Sequence, residues 1–381
     1  MNNSIKDVTE YVKEENVKFV RLAFCDAEGN LKNCAINADC LEDAFNHGVS
    51  FDGSALKGFL PPEKSDLLLF PDPSTLTQLP WRPSQGKAVM MFCNVCYPDK
   101  TPFEKDSRRV LVKAIEYAKS KGITCNFGAE FEFYLFKLDE NGDKTNVPID
   151  DGGYMSADPF DKGENIRRDI CQTIREMGLH TERSHHEEGP GQNEIDFKYS
   201  DALNSADQAI LFKTACRNVA YKNGCRASFD PKPLPDKSGS GVHVNVSVRS
   251  EDGKDVLDYF ADGVLARAKE MTAVFNPSER SYKRLGERKA PKRIFKSVSD
   301  RTALIRMPAS DGERRMELRS PDGYANVYLT YALIIYAGVD GVLNRTEYTA
   351  TDELLPETKE EAEKIYSTSA FIKKYLGEDY G

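Results

Sequence analysis

The sequence predicts an α+β fold in two domains, a small strand-rich domain followed by a larger one that mixes helices and strands. A chain of 381 residues, 40% of them hydrophobic, exceeds one ordinary domain and can bury at least one large core. Strand-like runs open the chain. Beyond residue 100, a helical spacing of apolar residues is followed by several runs that alternate with a period of two.

The first domain is expected to span residues 1–100. Val17–Phe24 and Val89–Phe92 have the composition of strands, and the turn signal Glu28-Gly29-Asn30 follows the first of them. The Pro-rich segment Pro61–Pro83 carries the single tryptophan of the chain and predicts a loop.

The second domain is expected to span residues 101–381. Pro98–Pro102 is typical of a linker, and Ser107–Lys121 then has the apolar spacing of an amphipathic helix. The charged segment Glu357–Lys374 predicts short surface helices.

Composition restricts the class of partner and the location. A formal charge of −9 argues against a nucleic-acid or anionic-membrane partner, so we expect small-molecule ligands. The longest apolar stretch, Tyr328–Leu343, contains Asp340 and is shorter than the roughly 20 residues of a spanning helix. Nine scattered cysteines are typical of reduced thiols. We therefore expect a cytoplasmic protein without a signal or membrane segment.

Several predicted strands carry polar side chains on the face opposite the apolar one. Glu130 and Glu132 point to one side of their strand and Phe131 and Phe133 to the other, because side chains alternate across a strand. The same alternation groups two further polar sets, His243 with Asn245 and Ser247, and Glu317 with Arg315 and Arg319. Each face alone is equally typical of an antiparallel sheet with one side in water.

A loop adds two carboxylates, which favours a shared polar cleft over three solvated faces. His185–Glu194 places Glu187 and Glu194 on either side of a Gly-Pro-Gly turn that can fold them toward one point. Oxygen-rich sites with few imidazoles and no thiolates suit hard cations, so this set predicts Mg²⁺ or Mn²⁺. The expected ligands are Glu130, Glu132, Glu187, Glu194, His243 and Glu317.

Arginines are concentrated between Tyr282 and Arg319, and their planar forks suit phosphate or carboxylate. The alternative is that they form surface salt bridges, but their crowding around the Glu317 strand favours the site. The candidates are Arg284, Arg301, Arg306, Arg315 and Arg319. The small-residue loop 238–241 permits close backbone approach. It matches neither the phosphate-loop nor the dinucleotide fingerprint.

Taken in order, these segments resemble type I glutamine synthetases over nearly the whole chain. The motifs that carry the resemblance include Phe51–Ser54, Ser65–Asp72, Gly128–Phe133, His185–Glu194, Gly239–His243, Ser281–Leu285, Ile305–Pro308 and Arg315–Asp322.

The resemblance implies an N-terminal β-grasp-like domain and a catalytic domain whose antiparallel strands form a split barrel with surrounding helices. It implies one metal ion held by Glu132, Glu187 and Glu194, and another held by Glu130, His243 and Glu317. The implied activity is that of an ATP-dependent ligase. ATP phosphorylates the side-chain carboxylate of glutamate, and ammonia then displaces phosphate from γ-glutamyl phosphate.

The resemblance also implies roles for single residues. For substrate binding it implies Gly239, Arg284, Arg306, Arg319 and His185; for ATP binding, His243, Ser247, Arg301 and Arg315; for catalysis, Asp52, Arg284, Arg301 and the Lys289 position. Asp52 would come from a neighbouring subunit and deprotonate ammonium, which implies a homo-oligomeric ring, a hexamer or a dodecamer. Because the C-terminal segment is shorter than the helical tail of the family, a single hexamer is expected ahead of stacked rings.

The main departure from the family lies in Leu285–Pro291, where Lys289 stands in place of a glutamate. A lysine there puts positive charge beside the ammonium that the ordinary enzyme attracts. Ser238 also replaces the usual asparagine. Three functions remain open from the sequence: glutamine formation, a γ-glutamyl ligase that uses another amine or acid, and a weakly active regulatory paralogue.

Overall fold

The computed structural model describes residues 3–81, 86–309, 314–349, 352–377 and 380. Pro83, at the end of the predicted loop, lies outside the described residues. Within these bounds the chain divides into two compact units, residues 1–110 with 172–179 and residues 111–171 with 180–381. The boundary predicted between residues 100 and 101 stays a prediction.

The first unit is a twisted sheet flanked by short helices. Its elements are α1 Ile5–Glu14, β1 Phe19–Cys25, β2 Leu31–Asn37, α2 Leu41–His47, β3 Val49–Asp52, β4 Asp66–Pro71, β5 Thr77–Gln78 and β6 Ala88–Cys96, before α3 begins at Ser107. The strand order is β2-β1-β6-β4-β3, with β5 on β6. Only β1 and β6 pair in parallel among these described strands.

The loop predicted over Pro61–Pro83 is wrong in part, because β4 and β5 form within it. Leu67 and Leu69 are fully buried in the core of the first unit, and their alternation with exposed or half-buried neighbours gives β4 its inward face. The proline content misled the prediction: only Pro71 lies within β4, at its end, where a missing N–H costs little, and the other prolines lie outside the strand. The turn predicted at Gly29 is confirmed, since Gly29 joins β1 to β2 with φ of 80°.

The second unit is built on a ten-stranded sheet with helices packed on its apolar face. The elements from α3 onward are α3 Ser107–Ser120, β7 Ile123–Leu138, β8 Lys144–Pro148, α4 Glu164–Glu176, β9 Thr181–His186, β10 Gln192–Phe197, β11 Ser200–Asp201, α5 Ala202–Lys222, β12 Cys225–Ser228, β13 Val242–Ser250, α6 Leu257–Ala266, α7 Ala268–Phe275, α8 Glu279–Arg284, β14 Lys296–Ser297, β15 Ile305–Arg306, β16 Met316–Leu318, α9 Val327–Asn344, α10 Lys359–Thr368 and α11 Ala370–Leu376. The start of α3 and the end of α4 belong to the first unit. The main strand order is β14-β15-β16-β13-β7-β10-β9.

The long strand β7 organises this sheet, because β8, β10, β11, β12 and β13 all pair with it antiparallel. Its apolar face carries Phe131 and Phe133, which are 2% and 0% exposed. Their rings lie 5.1 Å from Phe212 and 5.6 Å from Phe229 respectively. Burial of these large rings fixes the register, since a one-residue slip would turn them toward the polar face.

The predicted α+β class is confirmed, as is the helix after residue 106, which is α3. The short helices expected in the tail are present as α10 and α11. They are less superficial than expected, because Ala362, Phe371 and Ile372 are buried. Among the described residues, α9 is the one helix whose length and mean hydropathy of 1.3 would let it cross a membrane, and 78% of it is buried. That is weak evidence for a span, because a buried core helix meets the same criteria.

Helices α6 and α9 touch backbone to backbone at two glycines. A Cβ on Gly341 would lie 2.3 Å from the Tyr259 carbonyl oxygen and 2.6 Å from the Gly263 Cα. A Cβ on Gly263 would lie 2.3 Å from the Ala337 carbonyl oxygen. Neither helix can therefore accept a methyl group here without moving away from the other.

We expect Gly341→Ala to lower the free energy of unfolding by at least about 2 kcal/mol, because overpacking exceeds the gain in helix propensity. Gly153→Ala is the control, since a Cβ there has nothing within 4 Å. Denaturant titration followed by circular dichroism measures both. Equal midpoints for the two variants would contradict the close crossing.

Candidate active site

The strand pairing of the second unit lines up charged residues in rows on the polar face of the sheet. Glu132 of β7 lies opposite Glu194 of β10, which lies opposite His185 of β9. In the adjacent row, Glu130 lies opposite His243. Directly paired residues share one face, so residues distant in the chain become neighbours in two rows.

A third row reaches the short strands at the other side of the sheet. Asn245 of β13 lies opposite Glu317 of β16, and Glu317 lies opposite Arg306 of β15. The Arg315 Nε donates to Asn245 Oδ1 at 3.0 Å, and Asn245 Nδ2 donates to Glu130 Oε1 at 2.9 Å. This chain of hydrogen bonds links the third row to the second.

These rows form the floor of a cavity of about 350 Å³. The sequence-predicted residues in its lining are Glu130, Glu132, His185, Glu187, Glu194, Gly239, His243, Arg284, Lys289, Arg301, Arg306, Arg315 and Arg319. Glu317 lies beneath this lining and is 1% exposed. It lies 3.6 Å from His243 Nδ1 and accepts from Arg306 and Arg319.

The acidic residues form sets whose ligand atoms lie close enough to hold a cation. Atoms of Glu130, His243 and Glu317 all lie within 4.8 Å of one another, which is the set expected for one metal. The other expected set is divided: Glu132 and Glu194 approach His243, whereas Glu187 and Glu194 approach His185. Carboxylate oxygens with one or two imidazoles suit Mg²⁺ or Mn²⁺.

The pKa values of these carboxyls reflect their crowding. Burial, followed by the charges of neighbouring carboxylates, raises the pKa of Glu132 to about 7 and that of Glu194 to about 10. Burial also acts on Glu130, but hydrogen bonds from His243 and Asn245 outweigh it and lower its pKa to about 2. Negative charge is therefore expensive in this cavity, and a divalent cation would relieve it. The donor set fits such an ion.

A buried contact between His186 and Asp150 holds the turn that carries Glu187. His186 Nε2 lies 3.0 Å from Asp150 Oδ1, and His186 Nδ1 lies 2.6 Å from the Glu187 carbonyl oxygen. Asp150 also accepts from the Gly191 N–H at 2.7 Å. Burial lowers the pKa of His186, but these hydrogen bonds outweigh it and raise the pKa. Both ring nitrogens face acceptors, an arrangement that favours the protonated ring, and the ring links the start of the turn to its end.

Glycines allow Arg284 to lie directly under the cavity. A Cβ on Gly241 would lie 2.3 Å from the Arg284 guanidinium, and one on Gly239 would lie 2.8 Å from its Cγ. Arg284 is 3% exposed and donates to the carbonyl oxygens of Ser320 and Arg319 at 2.8 and 3.0 Å. The small residues of the loop 238–241 therefore make room for the Arg284 side chain.

Lys289 reaches into the cavity and is paired there. Its ammonium group donates to the carboxylate of Glu188, and it lies 5.8 Å from the centroid of the Tyr154 ring. Ser238 Oγ donates to the same carboxylate at 3.1 Å. The Lys289 hydrogen bond, partly opposed by burial, lowers the pKa of Glu188.

A second cavity of about 490 Å³ shares Glu130, Arg183 and Arg315 with the first. Ser247 lines this second cavity rather than the first. Asp52 belongs to the first unit, where it ends β3 with an exposed side chain that accepts from Ser54. The expected roles of these residues stay predictions.

The sequence analysis missed Arg183, Asp196 and Glu188. Arg183 NH2 lies 2.6 Å from Asp196 Oδ2, and Asp196 lies opposite Glu130. Burial and then Glu130 raise the pKa of Asp196 to about 6. A period of two would have found both, because Arg183 precedes His185 by two residues and Asp196 follows Glu194 by two. No such pattern marks Glu188.

Two family models match the chain. The glutamine synthetase β-grasp domain matches residues 16–98, and the glutamine synthetase catalytic domain matches residues 104–380. The first unit is therefore the β-grasp part that the resemblance implied, and the fold expected for the second part is confirmed.

Curated relatives and solved structures agree with these models. Glutamine synthetases of Methanosarcina mazei and Clostridium saccharobutylicum are 42% and 45% identical to the chain, covering 98% and 91% of it and 90% and 82% of their own lengths. A solved GmaS/ADP complex has a TM-score of 0.88 at 28% identity, over 98% of this chain and 93% of that one. Plasmodium falciparum glutamine synthetase, at 22% identity, has the same fold, with a TM-score of 0.87 over 100% of this chain and 96% of that one. The chain belongs to the glutamine synthetase family.

Proposed function

We propose that the protein is an ATP-dependent ligase that converts glutamate and ammonia to glutamine through γ-glutamyl phosphate. The observation that carries this proposal is the arrangement of one cavity, which has acidic metal-ligand sets on its floor and seven arginines in its lining. Such a site can neutralise both a triphosphate and an amino-acid carboxylate.

The metal ligands and the arginines of the cavity would support different parts of the reaction. Bound divalent cations would supply charge neutralisation for the transferring phosphoryl group. Arg306 and Arg319 hold Glu317 in the described structure and would exchange that contact for phosphate oxygens. Arg284, fixed by two carbonyl groups, would present its remaining surface to the substrate carboxylate. Gly239, whose missing side chain makes room for Arg284, would lie alongside that carboxylate.

The second cavity is suited to the nucleoside part of ATP. It adjoins the first through Glu130, Arg183 and Arg315, so a nucleotide lying there would direct its phosphates toward the acidic rows. Ser247 and Asn126 offer hydrogen bonds at its wall. His185, between Glu194 and Tyr154, would face the transferred phosphate.

The proposed assembly is a homo-oligomeric ring, a hexamer or a dodecamer, located in the cytoplasm. Asp52 would then reach the active site of a neighbouring subunit. Its exposed carboxylate is held ionised, because hydrogen bonds from Ser54 lower its pKa. An ionised carboxylate is the form that binds ammonium and accepts its proton.

One observation favours a second candidate, a γ-glutamyl ligase that uses another primary amine. The ammonium group of Lys289 occupies the part of the cavity between Glu188 and Tyr154. An alkylammonium ion suits the same pair of groups, a carboxylate and an aromatic face.

The function is tested by phosphate release from ATP with glutamate, Mg²⁺ and either ammonium or a panel of primary amines, together with quantification of the amide. We expect glutamine to be the main product. Faster amide formation with an alkylamine would select the second candidate. ATP binding without turnover on any amine would favour a regulatory protein and contradict the proposal.

Loss of one carboxylate should abolish metal-dependent turnover. We expect Glu132→Gln to reduce kcat by at least about 100-fold and to weaken Mn²⁺ binding, measured by titration calorimetry, because the variant removes a ligand atom at the centre of the site. Glu140→Gln is the matched control, since Glu140 is exposed in the turn after β7. Unchanged Mn²⁺ affinity in the first variant would contradict the metal assignment.

Stability of the metal-free protein should depend on pH. Glu132 and Glu194 have raised pKa values of about 7 and about 10, so the folded state binds protons more tightly than the unfolded state. Stability is then lost as pH rises from the ordinary glutamate range through 7 toward 10. We expect the Tm in EDTA to fall from pH 5 to pH 8, and Mn²⁺ to reduce that fall because it binds the ionised carboxylates. In Glu194→Gln, which cannot ionise, the dependence should be weaker; an equal dependence would refute the assignment.

A further inference from the structure

Two positions at which the family resemblance implies a departure, Ser238 and Lys289, converge on one side chain. Ser238 Oγ donates to Glu188 Oε2 at 3.1 Å, and Lys289 Nζ donates to Glu188 Oε1. The chain separates Lys289 from Glu188 by 101 residues. The Glu188 carboxylate therefore accepts hydrogen bonds from both residues, although the sequence around Glu188 predicts no role for it.

The segment that carries Lys289 is a compact turn with a fixed base. Gly286 N–H donates to the Ala290 carbonyl at 3.2 Å, and Ala290 N–H donates to the Glu287 carbonyl at 3.0 Å. The segment follows directly from Arg284, which is buried and bonded to two carbonyl groups. Because hydrogen bonds hold the base, the contact of Lys289 is the one that holds the tip of the segment over the cavity.

The receiving side is rigid as well. Glu188 directly follows the predicted metal ligand Glu187, and the next residue, Gly189, donates its N–H to Gln192 Oε1 at 2.9 Å. A Cβ on Gly189 would lie 1.9 Å from the Tyr134 hydroxyl oxygen, so this backbone is packed without spare room. The Glu188 side chain is 26% exposed and that of Lys289 is 54% exposed.

We propose that the Glu188–Lys289 ion pair latches the segment 285–291 over the cavity and thereby favours a small amine over water as the acceptor of the γ-glutamyl group. This inference rests on the proposed ligase function. Both residues act by positioning the segment. Their charges cancel, so closure does not require the loop glutamate that the family carries.

Acceptor choice matters at one chemical step. When an amine attacks, its nitrogen forms a bond to the acyl carbon, the bond from that carbon to the phosphate oxygen breaks, phosphate leaves and the nitrogen loses one proton. When water attacks instead, the same bond breaks and glutamate returns, so ATP is consumed without product. The ratio of phosphate released to amide formed measures how well the segment excludes water.

The Glu188–Lys289 pair favours the closed position of the segment but is weak enough for the segment to open. A partly exposed ion pair shifts an equilibrium by about fivefold, and Ser238 and Tyr154 add contacts to each partner. Glutamate can therefore enter through an opened segment, which closes again afterwards.

The test compares wild type with Glu188→Gln, Lys289→Met and the charge-exchanged double variant Glu188→Lys/Lys289→Glu. We expect each single variant to raise the ratio of phosphate to amide by about fivefold and the double variant to return it to within about twofold of wild type. Lys359→Gln removes a lysine from a surface pair with Glu363 and controls for charge. Wild-type ratios in both single variants, or a double variant no better than the singles, would overturn the latch.

Amide hydrogen exchange of residues 285–291 separates this proposal from the proposed function. We expect exchange to be faster by about fivefold in the single variants and restored in the double variant, whether or not the protein turns over. Equal exchange in wild type and single variants overturns the latch even if glutamine is formed. Protected exchange in wild type without turnover on any amine refutes the ligase and, with it, the effect on the acceptor; faster exchange in the single variants would still support the ion pair as the contact that holds the segment.

Discussion

Repulsion among buried carboxylates is the constraint on which the second unit depends. The register of β7 with β10 and β13 brings acidic residues into adjacent rows, and folding must tolerate that crowding before any cation binds. Neighbouring arginines and an asparagine on the same face offset it. Arg183 pairs with Asp196, Arg306 and Arg319 hold Glu317, and Asn245 supports Glu130. The aromatic core on the other face of β7 supplies the burial that keeps this register.

The rows could be predicted from sequence because a strand has one simple rule, a period of two, and because acidic residues on a buried strand are unusual. That rule located Glu130, Glu132, His243 and Glu317. It was not applied to β9 and the end of β10, which is why Arg183 and Asp196 were missed. Within the first unit, the proline content of residues 61–83 is typical of a loop and conceals the alternation of Leu67 and Leu69 that forms β4.

Contacts between loops lie beyond such rules. The meeting of Glu188 with Lys289 depends on how two turns are held by their bases, the first by Asp150 and His186 and the second by buried Arg284. Sequence spacing carries no record of that geometry. The lysine at position 289 was visible in the sequence, but the net charge around it was not, because the carboxylate of Glu188 that balances it lies in another segment. The family relationship and the departure are therefore compatible: the acidic rows retain the common chemistry, and the change lies at the edge of the cavity.

The crossing of α6 and α9 has a consequence for how this sequence can vary. The backbones of Gly263 and Gly341 lie in direct contact, so a side chain added at one position would overlap the other. A larger residue at one of them cannot be balanced by a smaller residue at the other, since both already lack a side chain. A side chain at either position would push the two helices apart, so both glycines and the distance between the helices are constrained together.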